Sequence, residues 1–323
     1  MNNIDLTNCK TNKFKAYLGS NGTKRCIIYE DKEYMVKYPP VPTRNKEMSY
    51  ANSCISEYIG CHIFELAEIP VQETFLATIT DNNKTKIVVA CKDMETCGIK
   101  LIPFAGLKNT IVNSPTNGYG TELSEILETF ETQKIFEENT IKNRFWETFI
   151  VDALIANFDR HNGNWGYLYN EIEKKAELAP IYDCGSCLYP QMDKELMQKV
   201  LNSPEEIKNR IFIYPTSAIK ENNKKINYKE YIEKANNPDC NNALLKIYPK
   251  LKQEKINEII DNTPYITDLQ KTFYKKIINE RRKIILEPTF KQLLEKKQNE
   301  TITFKKEQST NNKKDKNKKL KKI

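Results

Sequence analysis

Asn157-Phe158-Asp159-Arg160-His161-Asn162-Gly163-Asn164-Trp165-Gly166 is the stretch on which the reading of this chain turns. It follows an apolar helical pattern over 140–157, carried by Ile141, Phe145, Phe149 and Ile155, and breaks it with Asn, Asp and Gly. It therefore reads as a loop at a helix end. A hairpin is expected over 165–182, and beyond it lies Ile181-Tyr182-Asp183-Cys184-Gly185-Ser186. Moving a phosphoryl group from ATP needs little covalent chemistry from a protein. It needs a carboxylate near the attacking hydroxyl and oxygen ligands that hold Mg²⁺ against the phosphates. The D-x4-N spacing from Asp159 to Asn164 lets one loop supply the carboxylate and a first ligand, and Asp183 supplies a second. Alone, D-x4-N is common, and Asp/Asn/Gly clusters usually only make turns. The weight comes from an ordered set: Gly-rich turn, strand Lys, helix Glu, D-x4-N, then Asp-x-Gly.

Upstream, the first ninety residues alternate like a sheet. Phe14 to Gly19, Lys24 to Glu30, Glu33 to Tyr38, Thr74 to Thr80 and Lys86 to Lys92 read as five strands. Residues 52–67 read as a helix with Ile55, Ile59, Ile63 and Leu66 at helical spacing. Glu57 lies about 200° around from Ile55, opposite that stripe, so it is buried only if both faces of the helix are covered. Gly19-Ser20-Asn21-Gly22-Thr23-Lys24 is a turn whose glycines permit close backbone approach to phosphate, although it matches neither a Walker A loop nor G-x-G-x-x-G. Gly118-Tyr119-Gly120 begins like the latter, but Leu123 stands at the third glycine's place.

Past residue 98 the texture turns helical, with helices expected over 122–138, 140–157, 205–213, 227–236, 241–261 and 267–298. Ser203-Pro204-Glu205-Glu206 reads as a capping box with Pro at the first helical position, and Thr267 with Gln270 as a second. A β-rich small lobe followed by a helical large lobe is an α+β arrangement with a cleft between the two.

Charge and composition narrow the function. The 323 residues carry +8, yet nine lysines within 305–323, against Glu307 and Asp315, account for +7, leaving +1 elsewhere. A near-neutral body gives no sign of a nucleic-acid groove. The Lys-rich tail is expected to be disordered, with anionic partners as its alternative use. No apolar run approaches the roughly 20 residues of a membrane span, and the N-terminus is too polar for a secretory signal. The default location is therefore the cytoplasm, with export lacking a signal peptide and delivery into host cells kept open. Nine cysteines without such a signal favour free thiols. Cys184 and Cys187 have CxxC spacing but no second CxxC to complete a zinc site. The only histidines, His62 and His161, exclude HExxH, and a GxSxG elbow is absent.

The segment 151–188 resembles the catalytic segment of HipA-like kinases, bacterial serine/threonine kinases distantly related to protein and phosphoinositide kinases. An apolar helix, N-x-D-R-H-x-x-N-W-G and then Ala179-Pro180-Ile181-Tyr182-Asp183-Cys184-Gly185-Ser186 follow that family's pattern. The likeness is specific there and loose over the rest of 12–300. It implies a bilobal kinase-like fold: an ATP-binding small lobe over 1–97, a catalytic large lobe over 98–304, and the tail over 305–323. It implies Asp159 as the catalytic carboxylate, Asn164 and Asp183 as Mg²⁺ ligands, and His161 as a proton-transfer or phosphate-contacting group, with a stacking role equally open. Lys37 becomes the α/β-phosphate lysine and Glu57 its partner. The turn from Gly19 to Lys24 would cover the phosphates, and Lys92-Asp93-Met94 would be the hinge whose backbone holds adenine. Ser20, Thr23 and Ser114 are candidate autophosphorylation positions. The reading is an ATP- and Mg²⁺-dependent serine/threonine protein kinase with autophosphorylation, with a bacterial effector acting on host proteins kept open. Its alternatives are a lipid or small-molecule hydroxyl kinase and a catalytically silent nucleotide-binding regulator of the toxin–antitoxin type.

Overall fold

Two hairpins seed the N-terminal sheet. In the first, β2 (Lys24–Tyr29) meets β3 (Lys32–Lys37) across a two-residue turn in which Glu30 and Asp31 have φ of 48° and 58°. In the second, β4 (Thr74–Asp81) meets β5 (Lys84–Lys92) across Asn82 and Asn83, at 50° and 59°. Such left-handed pairs match the strand twist, and Asn tolerates them better than most residues. The computed structural model describes residues 3–17, 23–40, 50–112 and 115–300. With β1 (Lys10–Asn12) at its edge, the sheet is five-stranded and antiparallel, in the order β1-β2-β3-β5-β4.

The edge strand departs from the sequence expectation over 14–19. Phe14 is fully exposed and finds no core, and β1 forms earlier, with Lys10 opposite Ile28 and Asn12 opposite Cys26. Residues 13–17 instead cross toward the end of β5, where Lys15 pairs with Asp93 at 2.7 Å and Glu33 at 3.0 Å. Among the described residues, Cys26, Glu33 and Asp93 form the one cluster of possible metal ligands, and Lys15 sits on its carboxylates.

Helix α1 (Ser53–Leu66) buries Ile55, Ile59 and Ile63 on one side and Ser56, Glu57 and Gly60 on the other. Both faces are covered because α1 touches β4 and β5 as well as α4 (Glu138–Ile155) and α9 (Gln253–Asn262). Beyond it, β6 (Ile99–Pro103) pairs with β7 (Gly166–Asn170), which pairs with β8 (Lys175–Leu178). A Cβ on Gly166 would meet Ile102 O at 2.1 Å, so only glycine lets these backbones approach. Helix α2 (Phe104–Ile111) then leads to α3 (Leu123–Thr132).

Helix α3 stops well short of residue 138. The Gln133 side chain accepts from Ile135 N and Phe136 N, each at 2.8 Å, and builds a turn in place of further helix. In the C-terminal part, α5 (Lys194–Asn202), unanticipated in the sequence, precedes α6 (Pro204–Phe212). Only half of the Ser203 box forms. Its hydroxyl accepts from Glu206 N, while the Glu206 carboxylate goes to Arg210 at 2.5 Å. A short hairpin of β9 (Lys220–Glu221) and β10 (Lys224–Lys225) leads into α7 (Tyr228–Lys234). The single helix expected over 241–261 is two, α8 (Pro238–Ile247) and α9, because Pro249 cannot continue the ladder. Helix α10 (Asp268–Arg281) starts from the complete Thr267–Gln270 box and runs through a π-turn (Arg282–Leu286) into helical residues 287–300. Among the described residues, no helix is long and apolar enough to cross a membrane.

Candidate active site

Helix α4 delivers the catalytic loop through a left-handed Ala156 (φ 57°), whose N–H returns to Asp152 O. A non-glycine residue in this conformation costs on the order of 1 kcal/mol. The contacts that follow offset it. Asn157, fully buried, donates to Asp152 Oδ1 at 2.8 Å, accepts from Asp159 N at 3.1 Å, and its carbonyl accepts from the Tyr228 hydroxyl at 2.6 Å. The Asp159 carboxylate is thereby set at the cleft wall with 39% of its surface open.

Arg160 points the opposite way, into the protein. Its guanidinium holds Asp152 through Nε at 3.0 Å and a second nitrogen at 3.3 Å. It also donates to Asn164 O at 2.9 Å, to Tyr182 O and to Cys184 Sγ. One buried cation thus ties α4, the catalytic loop and the Asp183 segment together. Asn162 adds a second tie, donating to Gly118 O at 2.9 Å and Gly120 O at 2.7 Å. Behind the loop, Trp165 stacks on Phe104 with centroids 4.1 Å apart and also meets Phe130 and Phe145.

Asp183 is itself left-handed, with φ 57°. Its carboxylate reaches Lys37 Nζ from β3 at 3.0 Å, and the same ammonium contacts Glu57 Oε2 from α1 at 2.9 Å. Glu57 Oε1 accepts from Cys184 N at 3.0 Å. Burial opposes a charge on Lys37, but Asp183 and Glu57 overcome it and hold its pKa well above the ordinary lysine value. Burial likewise opposes ionisation of Asp183, and Lys37 outweighs it, so that carboxyl titrates below the usual range. At Asp159, burial wins and raises the pKa, despite the opposing influence of His161.

His161 places Nε2 4.0 Å from Asp159 Oδ1, and its Nδ1 accepts from Gly163 N at 3.0 Å. In the neutral ring the proton therefore sits on Nε2, facing Asp159. Asn164 commits its amide nitrogen to Asp159 O at 2.8 Å, which leaves Oδ1 as its acceptor atom. An amide oxygen, a carboxylate and nearby phosphate oxygens form a hard donor set that suits Mg²⁺.

Lys24, Lys37, Glu57, Asp159, His161, Asn164 and Asp183 share one cleft of about 190 Å³. Lys24 lies directly opposite Lys37 in the β2–β3 register, so both ammonium groups leave the same sheet face. Burial lowers the pKa of Lys24, and the charge of Lys37 lowers it further. Tyr50, Ser53, Gly185 and Ser186 also line this cleft and were not singled out from sequence. Gly185 and Ser186 stood in the quoted motif, whereas Tyr50 and Ser53 carried no signal. Two residues of the expected hinge, Lys92 and Asp93, have partners of their own. Lys92 pairs with Glu73 at 2.9 Å on the surface, and Asp93 binds Lys15 and Tyr17. Lys92 N and Asp93 N already donate to Glu73 O and Glu33 O, each at 2.9 Å. Gly19, Ser20, Asn21, Gly22, Ser114 and the tail over 305–323 lie outside the described residues; Thr23 is exposed. Cys184 and Cys187 are buried free thiols, and Cys187 Sγ donates to Ser56 O at 3.2 Å.

Fold and cleft together define a phosphotransferase of the serine/threonine-kinase type. The chain belongs to the HipA-like family: residues 13–265 match the HipA-like C-terminal domain. It is 45% identical over 288 residues to the serine/threonine-protein kinase CtkA of Helicobacter pylori strain J99, covering 89% of this chain and 87% of that protein. The crystal structure of a Helicobacter pylori proinflammatory kinase CtkA superposes with a TM-score of 0.86 at 44% identity, over 91% of this chain and 98% of that one. HipA of Shewanella oneidensis, solved with HipB and operator DNA, shares the fold at a TM-score of 0.51 and 12% identity, over 82% of this chain and 64% of its own.

Proposed function

We propose that the chain is an ATP- and Mg²⁺-dependent serine/threonine protein kinase that also phosphorylates itself. The observation that carries this reading is the convergence of Lys37, Glu57, Asp159, Asn164 and Asp183 on one cleft. Asp159 orients the acceptor hydroxyl and takes its proton as the bond to phosphorus forms. Lys37, held by Glu57, aims its charge at the α- and β-phosphates, and Lys24 adds a second cation beside it. Asn164 Oδ1 and the Asp183 carboxylate would hold Mg²⁺, which when bound neutralises charge on the transferring phosphoryl group. His161 presents Nε2–H toward the proton-accepting carboxylate. Likeness to a kinase described as proinflammatory supports host proteins as its targets. Among the autophosphorylation candidates, Thr23 is exposed immediately before β2.

The test is transfer of labelled γ-phosphate from Mg-ATP to the chain itself and to a generic protein, with Asp159→Ala in parallel and ATP binding measured on both. Label with wild type and none with the variant is the expected result. Tight ATP binding without label, in the presence of Mg²⁺, overturns the protein-kinase reading. Lipid hydroxyls would then be tried.

A further inference from the structure

The β9–β10 hairpin sits beside the catalytic loop and carries a feature the phosphate chemistry does not use. Its register places Lys225 directly opposite Lys220. Directly opposed residues on an antiparallel pair leave the same sheet face, and like charges there destabilise the pairing. Among the described residues, neither ammonium has a carboxylate at ion-pair distance. Lys225 is exposed and Lys220 half-buried, and the charge of Lys225 is felt at Asp159.

The hairpin is held in place. Asn222 N and Asn223 N donate to the two oxygens of Glu122 at 2.6 and 3.0 Å, and Lys220 N donates to Thr121 O at 2.8 Å. Glu122 follows the loop that Asn162 grips from the catalytic side, and in that loop Tyr119, 53% exposed, meets His161 edge-on. Of the two lysines, Lys225 lines an open groove of about 500 Å³, together with Lys224, Asn227, Tyr231 and Lys234.

We infer that Lys220 and Lys225 form the acceptor-docking site, binding acidic residues that flank the Ser or Thr presented to Asp159. The inference rests on the protein-kinase reading above and adds a substrate class to it: acidic peptide segments. Glu221 and Glu230 also line the groove, which disfavours a densely charged phosphate headgroup and suits a segment mixing acidic with polar residues.

The experiment compares Ser-containing peptides flanked by Asp/Glu, by Ala or by Lys, using the full chain with Mg-ATP. Wild type should give about tenfold higher kcat/KM on the acidic set than on the neutral one. The double variant Lys220→Glu/Lys225→Glu should reverse the order toward Lys-flanked peptides, with the KM for ATP unchanged. Lys220→Arg/Lys225→Arg should keep the acidic preference, which separates a charge effect from damage to the hairpin. Equal kcat/KM on the three wild-type sets overturns the inference and leaves the kinase reading standing. Transfer to phosphatidylinositol vesicles but to no peptide overturns it and reassigns the pair to a lipid headgroup. Transfer to neither acceptor, nor to the chain itself, overturns both readings.

Discussion

Glu57 and Cys184, on α1 and on the loop after Asp183, are joined by a 3.0 Å hydrogen bond from the peptide N–H to Oε1. Because Oε2 of the same carboxylate holds Lys37, one fully buried side chain sets both the lysine and the Asp183 segment. Glu57→Gln keeps an acceptor for Cys184 N but removes the charge beside Lys37. Transfer should fall about 10²–10³-fold in kcat/KM, the loss expected when a preorganised charge-stabilising group is disturbed. Glu57→Ala also leaves a buried cation short of its partner, and urea unfolding should show a loss of about 3–5 kcal/mol. A Glu57→Ala protein with unchanged stability would contradict this account.

Removing Asp152 strands Arg160, whose guanidinium lies in the interior. Asp152→Ala should therefore cost about 3–5 kcal/mol in denaturant unfolding. A double-mutant cycle with Arg160→Met should recover a large coupling, since the two share the same hydrogen bonds. Additive losses would mean that the pair does not act as a unit.

In the proposed mechanism Asp159 acts as the ionised base, and burial raises its pKa above the ordinary aspartate value of 3.8. Activity is lost as pH falls through that raised value, so the acid limb of kcat/KM should lie at higher pH than for an ordinary aspartate. A pH–rate profile of the wild type checks this. An acid limb at or below the ordinary value would remove burial as the controlling influence.

Thiol accessibility separates structural cysteines from reactive ones. Cys97 is exposed and Cys9 half-buried, while the other seven, Cys184 and Cys187 included, are buried. Burial pushes the pKa of Cys61 and Cys187 up, which makes them poor nucleophiles; for Cys61 a contact with Cys184 acts even more strongly. A bulky disulfide reagent should label Cys97 first in the native protein and reach the buried seven only in denaturant. Fast native labelling of Cys184 or Cys187 would revive a redox role for the CxxC.

Much of this was legible in the sequence because the catalytic segment is local: Asn157 to Gly166 and Ala179 to Ser186 are nearly contiguous, and their order carries the chemistry. Lys37 and Glu57 were legible only as a strand Lys and a helix Glu, and Glu57 ran against its own helical stripe. Its burial depends on Lys37 and the loop after Asp183 covering the second face, which no local pattern encodes. The edge strand was misplaced for the converse reason, since Phe14 looks like a strand residue but meets no core. Helix ends at Thr132 and Ile247 were set by a side-chain turn at Gln133 and by Pro249. The Lys15–Asp93 contact joins residues far apart in sequence, which no local pattern predicts.

Gly60 has a consequence for regulation. A Cβ there would meet the Cβ of Cys184 at 2.8 Å and the Sγ of Cys187 at 3.0 Å, so α1 lies flush against the segment that follows Asp183. Many kinases are governed by swinging this helix, and with it the lysine's glutamate, in and out of the cleft. Here the lever is bolted to the lower jaw by close packing, by Cys187 Sγ to Ser56 O and by Glu57 to Cys184 N. On the proposed kinase reading, such a machine rests in gear, and control over when it runs would fall to nucleotide and acceptor reaching the cleft.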